Sequence, residues 1–283
     1  MKLAYSTWGM PMLSVDDALG CIHRLGYDGV ELTVTNVRPF STELTTLHAS
    51  ERQHIRRLLD GYGLELPALA GHANLMSLDP DVYAEAVARL RATVDLAVAL
   101  AGPDGAPAVN TGPGGAKDEF DQRKDLLADR VGELVAYGEQ RGVVIAIEPQ
   151  VSCILDTPQK CLWLLEQVGS AHLKLCFDIS HFEVAEDIPM EESVRLLAPH
   201  SVFTHVKDQR GIYPHHEFLI PGEASFDYVA YLKEMEKAGY QGHIGVEVSF
   251  MVQDRSHYDP YAAAELSYRT LSRAFQEARI ARR

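Results

Sequence analysis

Residues 143–148 read VVIAIE, residues 173–178 LKLCFD, residues 202–205 VFTH and residues 244–247 IGVE. Each is a short, almost wholly apolar run, the pattern of a strand buried on both faces, and the four close on Glu148, Asp178, His205 and Glu247. In a parallel α/β barrel the C-terminal strand ends converge on one face, where active sites are built. Three carboxylates and an imidazole meeting there describe a divalent-metal site. The donors suit a hard or borderline octahedral ion, Mn2+ first, with Co2+ or Mg2+ as alternatives, whereas structural zinc would prefer Cys and His in a closed tetrahedron. Four protein ligands on an octahedral ion leave two positions, enough for adjacent oxygens of a substrate.

Outward from these runs the chain keeps one rhythm. LAYST (3–7), GVELTV (29–34), LELPALA (64–70) and PAVNTG (107–112) read as four earlier strands. Helical spacing predicts helices from Val15 to Leu25, about Thr42 to Gly61, Pro80 to Ala101 and about Glu119 to Gln140. In the second half it predicts Pro158 to Val168, Glu191 to Leu197, Tyr228 to Ala238 and Tyr261 to Arg279. Eight strand–helix units predict a (β/α)8 TIM barrel, a single domain over residues 1–283, with no linker or low-complexity segment. A doubly wound dinucleotide fold would want Gly-x-Gly-x-x-Gly after its first strand, and STWGMPM (6–12) is not that turn.

Composition excludes several functions. A net charge of −14 in 283 residues opposes binding to phosphate backbones, so no nucleic-acid partner is expected. The four cysteines form no Cys-x-x-Cys pair and read as structural thiols in a reducing compartment. The N-terminus MKLAYSTWGMPML lacks the apolar core of a signal peptide, and no run approaches the ~20 apolar residues of a membrane helix. A cytoplasmic protein without a membrane partner is expected.

Around the metal candidates lie residues suited to holding a substrate. His181 follows Asp178 by three positions in DISH, and Arg210 follows His205 in HVKDQRG. Lys207, in the same stretch, is read as pointing elsewhere. His72 and Asn74 share a face of the loop AGHANL (70–75), and Trp8 follows the first strand as a pocket wall. The stretch 212–223, with His215 and His216, is long for a strand–helix connection and reads as a lid or binding loop.

GYDGVEL (26–32), IEP (147–149), FDISH (177–181), HVKD (205–208), PGE (221–223), FDY (226–228) and GVEV (245–248) together resemble the xylose isomerase-like sugar isomerase/epimerase superfamily, from Lys2 to about Ala274. The resemblance implies a metal on Glu148, Asp178, His205 and Glu247, with Glu148 and Glu247 doubling as the acid–base pair. His181 and Arg210 match substrate-binding positions of its ketose 3-epimerases. Those enzymes also carry a second glutamate just beyond the fifth-strand ligand, and EPQVSCI (148–154) has none, leaving room near Ile154 for a ring or an apolar substituent. The expected activity is metal-dependent isomerisation or epimerisation of a small, unphosphorylated keto-sugar, by proton abstraction beside the carbonyl through an enediolate. The alternative is a lyase on the same scaffold, a keto-polyol dehydratase or keto-glycoside deglycosidase. Homo-oligomerisation is left open.

Overall fold

The computed structural model of the protein describes residues 1–35, 43–185 and 188–282. Eight parallel strands close into a barrel: β1 (Lys2–Ser6), β2 (Gly29–Thr33), β3 (Glu65–Ala70), β4 (Ala108–Thr111), β5 (Ile145–Ile147), β6 (Leu173–Asp178), β7 (Ser201–Val206) and β10 (His243–Val246). Two further strands, β8 (Asp208–Ile212) and β9 (His215–Leu219), form an antiparallel hairpin outside it. The first four long helices are α1 (Val15–Leu25), α2 (Ala49–Tyr62), α3 (Pro80–Ala99) and α4 (Phe120–Glu139). They are followed by α5 (Pro158–Val168), α6 (Ile179–Ala185), α7 (Met190–Leu197), α8 (Tyr228–Lys237), α9 (Phe250–Gln253) and α10 (Pro260–Ala278). The barrel closes where β1 pairs with β10, Lys2 opposite His243 and Tyr5 opposite Val246.

Local chemistry sets the helix limits. Ser14, Asp79, Thr157, Asp227 and Asp259 each cap a helix by accepting from a free N–H of its first turn, and α3, α5 and α10 place proline at the start. α1 ends at Gly26, which takes a left-handed φ of 92° and donates its N–H back to the last turn. The second helix begins at Ala49, later than its apolar spacing predicts, because the Glu51 carboxylate accepts from the His48 N–H and fixes the start there. The expected start at Thr42 lies outside the described residues. The stretch after Asp208 is a hairpin where a loop is expected, held at its base by the Asp208 carboxylate, which accepts from the N–H groups of Gly222 and Ala224.

Inside the barrel, Ala4, Ala68, Ala146, Cys176 and Phe203 form a small buried layer. Its one large ring is accommodated by Gly245, where a Cβ would sit 2.5 Å from the Phe203 ring. Side chains alternate along a strand, so the residues two positions further on share that inner face. Beyond Ala146, Cys176, Phe203 and Gly245 these are Glu148, Asp178, His205 and Glu247. The site is therefore built on a plugged barrel floor. Among the described residues, no helix is long and apolar enough to cross a membrane.

Candidate metal centre

Glu148, Asp178, His205 and Glu247 come together at the C-terminal mouth, all buried, each with a ligand atom within 4.8 Å of the others. His205 Nδ1 lies 2.8 Å from Glu148 Oε1 and 3.9 Å from Glu247 Oε1. Its other nitrogen, Nε2, lies 2.9 Å from Glu31 Oε2. Glu31 is fully buried on β2 and also accepts from Asn110 Nδ2 at 3.3 Å. Lys207, two positions beyond His205, is buried as well, and its ammonium donates to the carboxylates of Asp178 and Glu247.

Alternation along β7 puts Lys207 on the same face as His205, so the expectation that it points away is corrected.

The charges settle around these contacts. Burial opposes ionisation of Asp178, but Lys207, His181 and His205 outweigh it and hold the carboxyl below the usual aspartate range. Burial likewise opposes ionisation of Glu148 and Glu31, and His205 overcomes it in both. The cations are stabilised in return. Burial disfavours the His205 imidazolium, yet Cys176 and the carboxylates of Glu31, Glu247 and Glu148 raise it well above the ordinary histidine range. Lys207 rises too, against burial, because of Asp178 and Glu247.

Four carboxylates against one ammonium and one imidazolium leave an excess of two negative charges in a buried space. An oxygen-rich quartet with that excess fits a divalent cation. Cys176 meets the same spacing with Glu148 and His205, but burial pushes its thiol far up, so it offers a poor anionic ligand.

A cavity of about 580 Å³ opens over the cluster. Glu247 and Lys207 form part of its floor and His72, His181 and Trp8 part of its wall. The Trp8 ring packs against the rings of His72 and Phe250 at centroid distances of 5.2 and 4.7 Å. His72 Nδ1 accepts from the Gly112 N–H at 3.2 Å, and His181 Nδ1 from the Val151 N–H at 3.5 Å. In each ring the proton therefore resides on Nε2, and for His181 that nitrogen lies 3.7 Å from Asp178 Oδ2. Burial keeps His181 below the usual histidine range, hence neutral. Gly114, which also lines the cavity, takes φ of 74°, and a Cβ there would lie 2.1 Å from Asn74 Oδ1. That oxygen serves its own loop by accepting from the Met76 N–H.

Arg210 is not brought to the cavity. It lies on the hairpin, 66% exposed, paired with Glu217 across the strands at 2.9 Å. His215 and His216 are on the same hairpin, the latter against the rings of Tyr213 and Phe218. Ile154 is fully buried beside Gly115, so Gln150 and Cys153 face the cavity where Ile154 is expected to. Gln150 Nε2 donates to Glu148 Oε2 at 3.3 Å.

Comparison with known proteins agrees with this architecture. The family model described as xylose isomerase-like TIM barrel matches residues 21–270. The rhizopine catabolism protein MocC of Rhizobium meliloti is 26% identical over 261 residues, 82% of this chain and 76% of that protein. The apo form of 3-keto-D-glucoside 4-epimerase, YcjR, from E. coli superposes with a TM-score of 0.75 at 14% identity, over 98% of this chain and 99% of that one. The IOLI protein, solved with a binding zinc atom, gives a TM-score of 0.75 at 19% identity over 98% of each chain. At such identities the two structural likenesses speak for the fold.

Proposed function

The chain belongs to the xylose isomerase-like TIM barrel family, and we propose that it is a divalent-metal-dependent isomerase or epimerase of a small keto-sugar. The carrying observation is the convergence of two glutamates from separated strands. Glu148 directly follows β5 and Glu247 directly follows β10, with β6 and β7 between them in the barrel wall, yet both join one ligand cluster beneath one cavity. Inverting a carbon beside a carbonyl needs one base to remove the proton and a second acid to return it from the other face. Two carboxylates approaching from different strands meet that need.

Glu148, Asp178, His205 and Glu247 would hold the ion. When bound, a divalent ion supplies a Lewis acid that polarises the substrate carbonyl. One glutamate oxygen takes the proton from the neighbouring carbon and the other returns one. The Lys207 ammonium donates to the oxygen that gains negative charge, a preorganised donor of the kind that stabilises a developing oxyanion. His72 and His181 present Nε2–H groups to substrate hydroxyls, and Trp8 with Phe250 supplies an apolar wall. The acid–base pair at strand ends, the epimerase name of YcjR and the zinc of IOLI support this reading.

Lys207 also favours a second reading. An ammonium beside Glu247 could hold a departing hydroxyl, so the lyase alternative shares the first step and differs in the second, which expels a leaving group. Both are tested by incubating metal-loaded protein with keto-sugars in D2O. Carbon-bound deuterium with a new diastereomer or aldose supports the first reading, and an unsaturated product supports the second. Neither exchange nor product with any keto-sugar of the panel overturns both.

A further inference from the structure

We propose that Glu31 is a positioning residue that fixes which nitrogen of His205 meets the metal. The assignment rests on the reading of His205 as a ligand. The ring has two sides: Nδ1 faces the carboxylates of Glu148 and Glu247, at 2.8 and 3.9 Å, and Cys176 Sγ at 3.7 Å, while among the described residues Nε2 faces Glu31, at 2.9 Å. Glu31 lies 174 residues away in sequence and is fully buried. A carboxylate in that position is costly unless its lone pairs are used.

They are used by groups from the half of the barrel that carries no ligand. Asn110 on β4 donates to Oε1, and the Ser6 hydroxyl on β1 bonds the same carboxylate. Ser6 in turn accepts from the Trp8 N–H at 3.3 Å, so the support chain runs to the cavity wall. An imidazole that donates one N–H to a fixed carboxylate is held in one tautomer, with its other lone pair directed at the ion, and removal of such a partner typically costs about 10–100-fold in metal affinity. Strands β1, β2 and β4 thereby serve the ligand of β7.

The test uses zinc, a diamagnetic probe, on the full chain. Nitrogen-15 NMR of the His205 ring in zinc-saturated protein should show Nδ1 coordinated and Nε2 still carrying a slowly exchanging proton. Coordination through Nε2 overturns the role of Glu31 and leaves the metal site standing. No change at His205 on zinc saturation overturns the ligand assignment itself and this inference with it. Competition with a chromophoric chelator then compares variants. Glu31→Leu is expected to lose about 10–100-fold in zinc affinity. Glu31→Gln, which keeps an acceptor, should recover most of that, since the unpartnered Asn110 Oδ1 can turn to meet the new amide. Should Glu31→Leu not fold, a Glu31→Gln protein that has lost His205 Nε2–H protection yet keeps wild-type zinc affinity overturns the role.

Discussion

The ammonium of Lys207 and the carboxylate of Glu247 form a buried ion pair on the floor of the cavity. Both groups also touch the rest of the ligand cluster, Lys207 through Asp178 and Glu247 through its approach to His205. A cation is thus fixed within reach of any oxygen bound above the quartet, with no reorganisation needed as charge develops. Replacing Lys207 by methionine keeps the volume and removes the donor. Turnover is expected to fall by about 10²–10³-fold, the usual loss for one donor to a developing oxyanion, while metal content stays at the wild-type level. Wild-type turnover in a metal-replete Lys207→Met protein would remove this residue from the chemistry.

Glu148 and Glu247 differ in setting, which makes their variants informative. Glu148 is covered by Gln150 and His205, whereas Glu247 opens on the cavity. Glu148→Gln and Glu247→Gln are each expected to slow turnover by at least about a hundredfold, the lower range for a general acid–base group. Metal content measured on the same samples separates a lost proton carrier from a lost ligand. A variant that keeps both its metal and its rate is not part of the acid–base pair.

Much of this arrangement is legible in the sequence, for a physical reason. Each ligand candidate closes an apolar run, and strand ends in a parallel barrel share one face, so VVIAIE, LKLCFD, VFTH and IGVE point to one place before the fold is known. Glu31 is not legible in the same way. It sits inside GVELT, where a buried glutamate and a half-exposed one look alike, and its partner is 174 residues distant. Lys207 is legible from alternation applied two residues beyond His205. Arg210 illustrates the opposite limit, because spacing after β7 cannot say that the chain turns outward into a hairpin. The two short helices α6 and α9 are likewise too brief for apolar periodicity to register.

The charged cluster gives the chelated protein a pH dependence of opposite sign on its two sides. Glu31, Glu148 and Asp178 stand below ordinary values of 4.5, 4.5 and 3.8, so their stabilisation is complete above about pH 4.5 and lost as pH falls through the folded values. His205 stands above an ordinary 6.5, so its stabilisation is complete below that pH and lost as pH rises through the folded value. The thermal midpoint gap between wild type and His205→Asn should therefore be widest between pH 4.5 and 6.5 and narrow in alkali. A gap that is equal at about pH 5.5 and about pH 9 would contradict the assigned charge of His205.

The donor set also bears on the ion itself. Three carboxylates and one imidazole favour an ion of intermediate hardness, so one Mn2+ per chain is expected in protein purified without added metal. Elemental analysis reads the content directly. Chelation should abolish turnover, and Mn2+ should restore it at least as well as Co2+ or Mg2+. Full turnover in verified metal-free protein would end the metal-dependent reading.

The cavity also argues for the charge of the substrate. A phosphate ester calls for several arginine or lysine donors or for a helix N-terminus with free N–H groups. Among the described residues lining the cavity, Lys207 is the one lysine or arginine, and Asp178 and Glu247 take two of its three N–H donors. Arg210, the nearest alternative along the chain, is turned to Glu217 on the hairpin. A net charge of −14 adds long-range repulsion of dianions. The wall formed by Trp8, Phe250 and the Gly114–Gly115 turn instead offers apolar surface beside the polar rim of His72, Gln150 and His181. An unphosphorylated keto-sugar, or one carrying a ring or apolar substituent, suits that mixture. Paired kinetics on a keto-sugar and its phosphate ester decide the point: the neutral compound is expected to be the better substrate. An ester used with about tenfold higher catalytic efficiency, a gain of about 1.4 kcal/mol in transition-state binding, would require cationic groups that this cavity does not present.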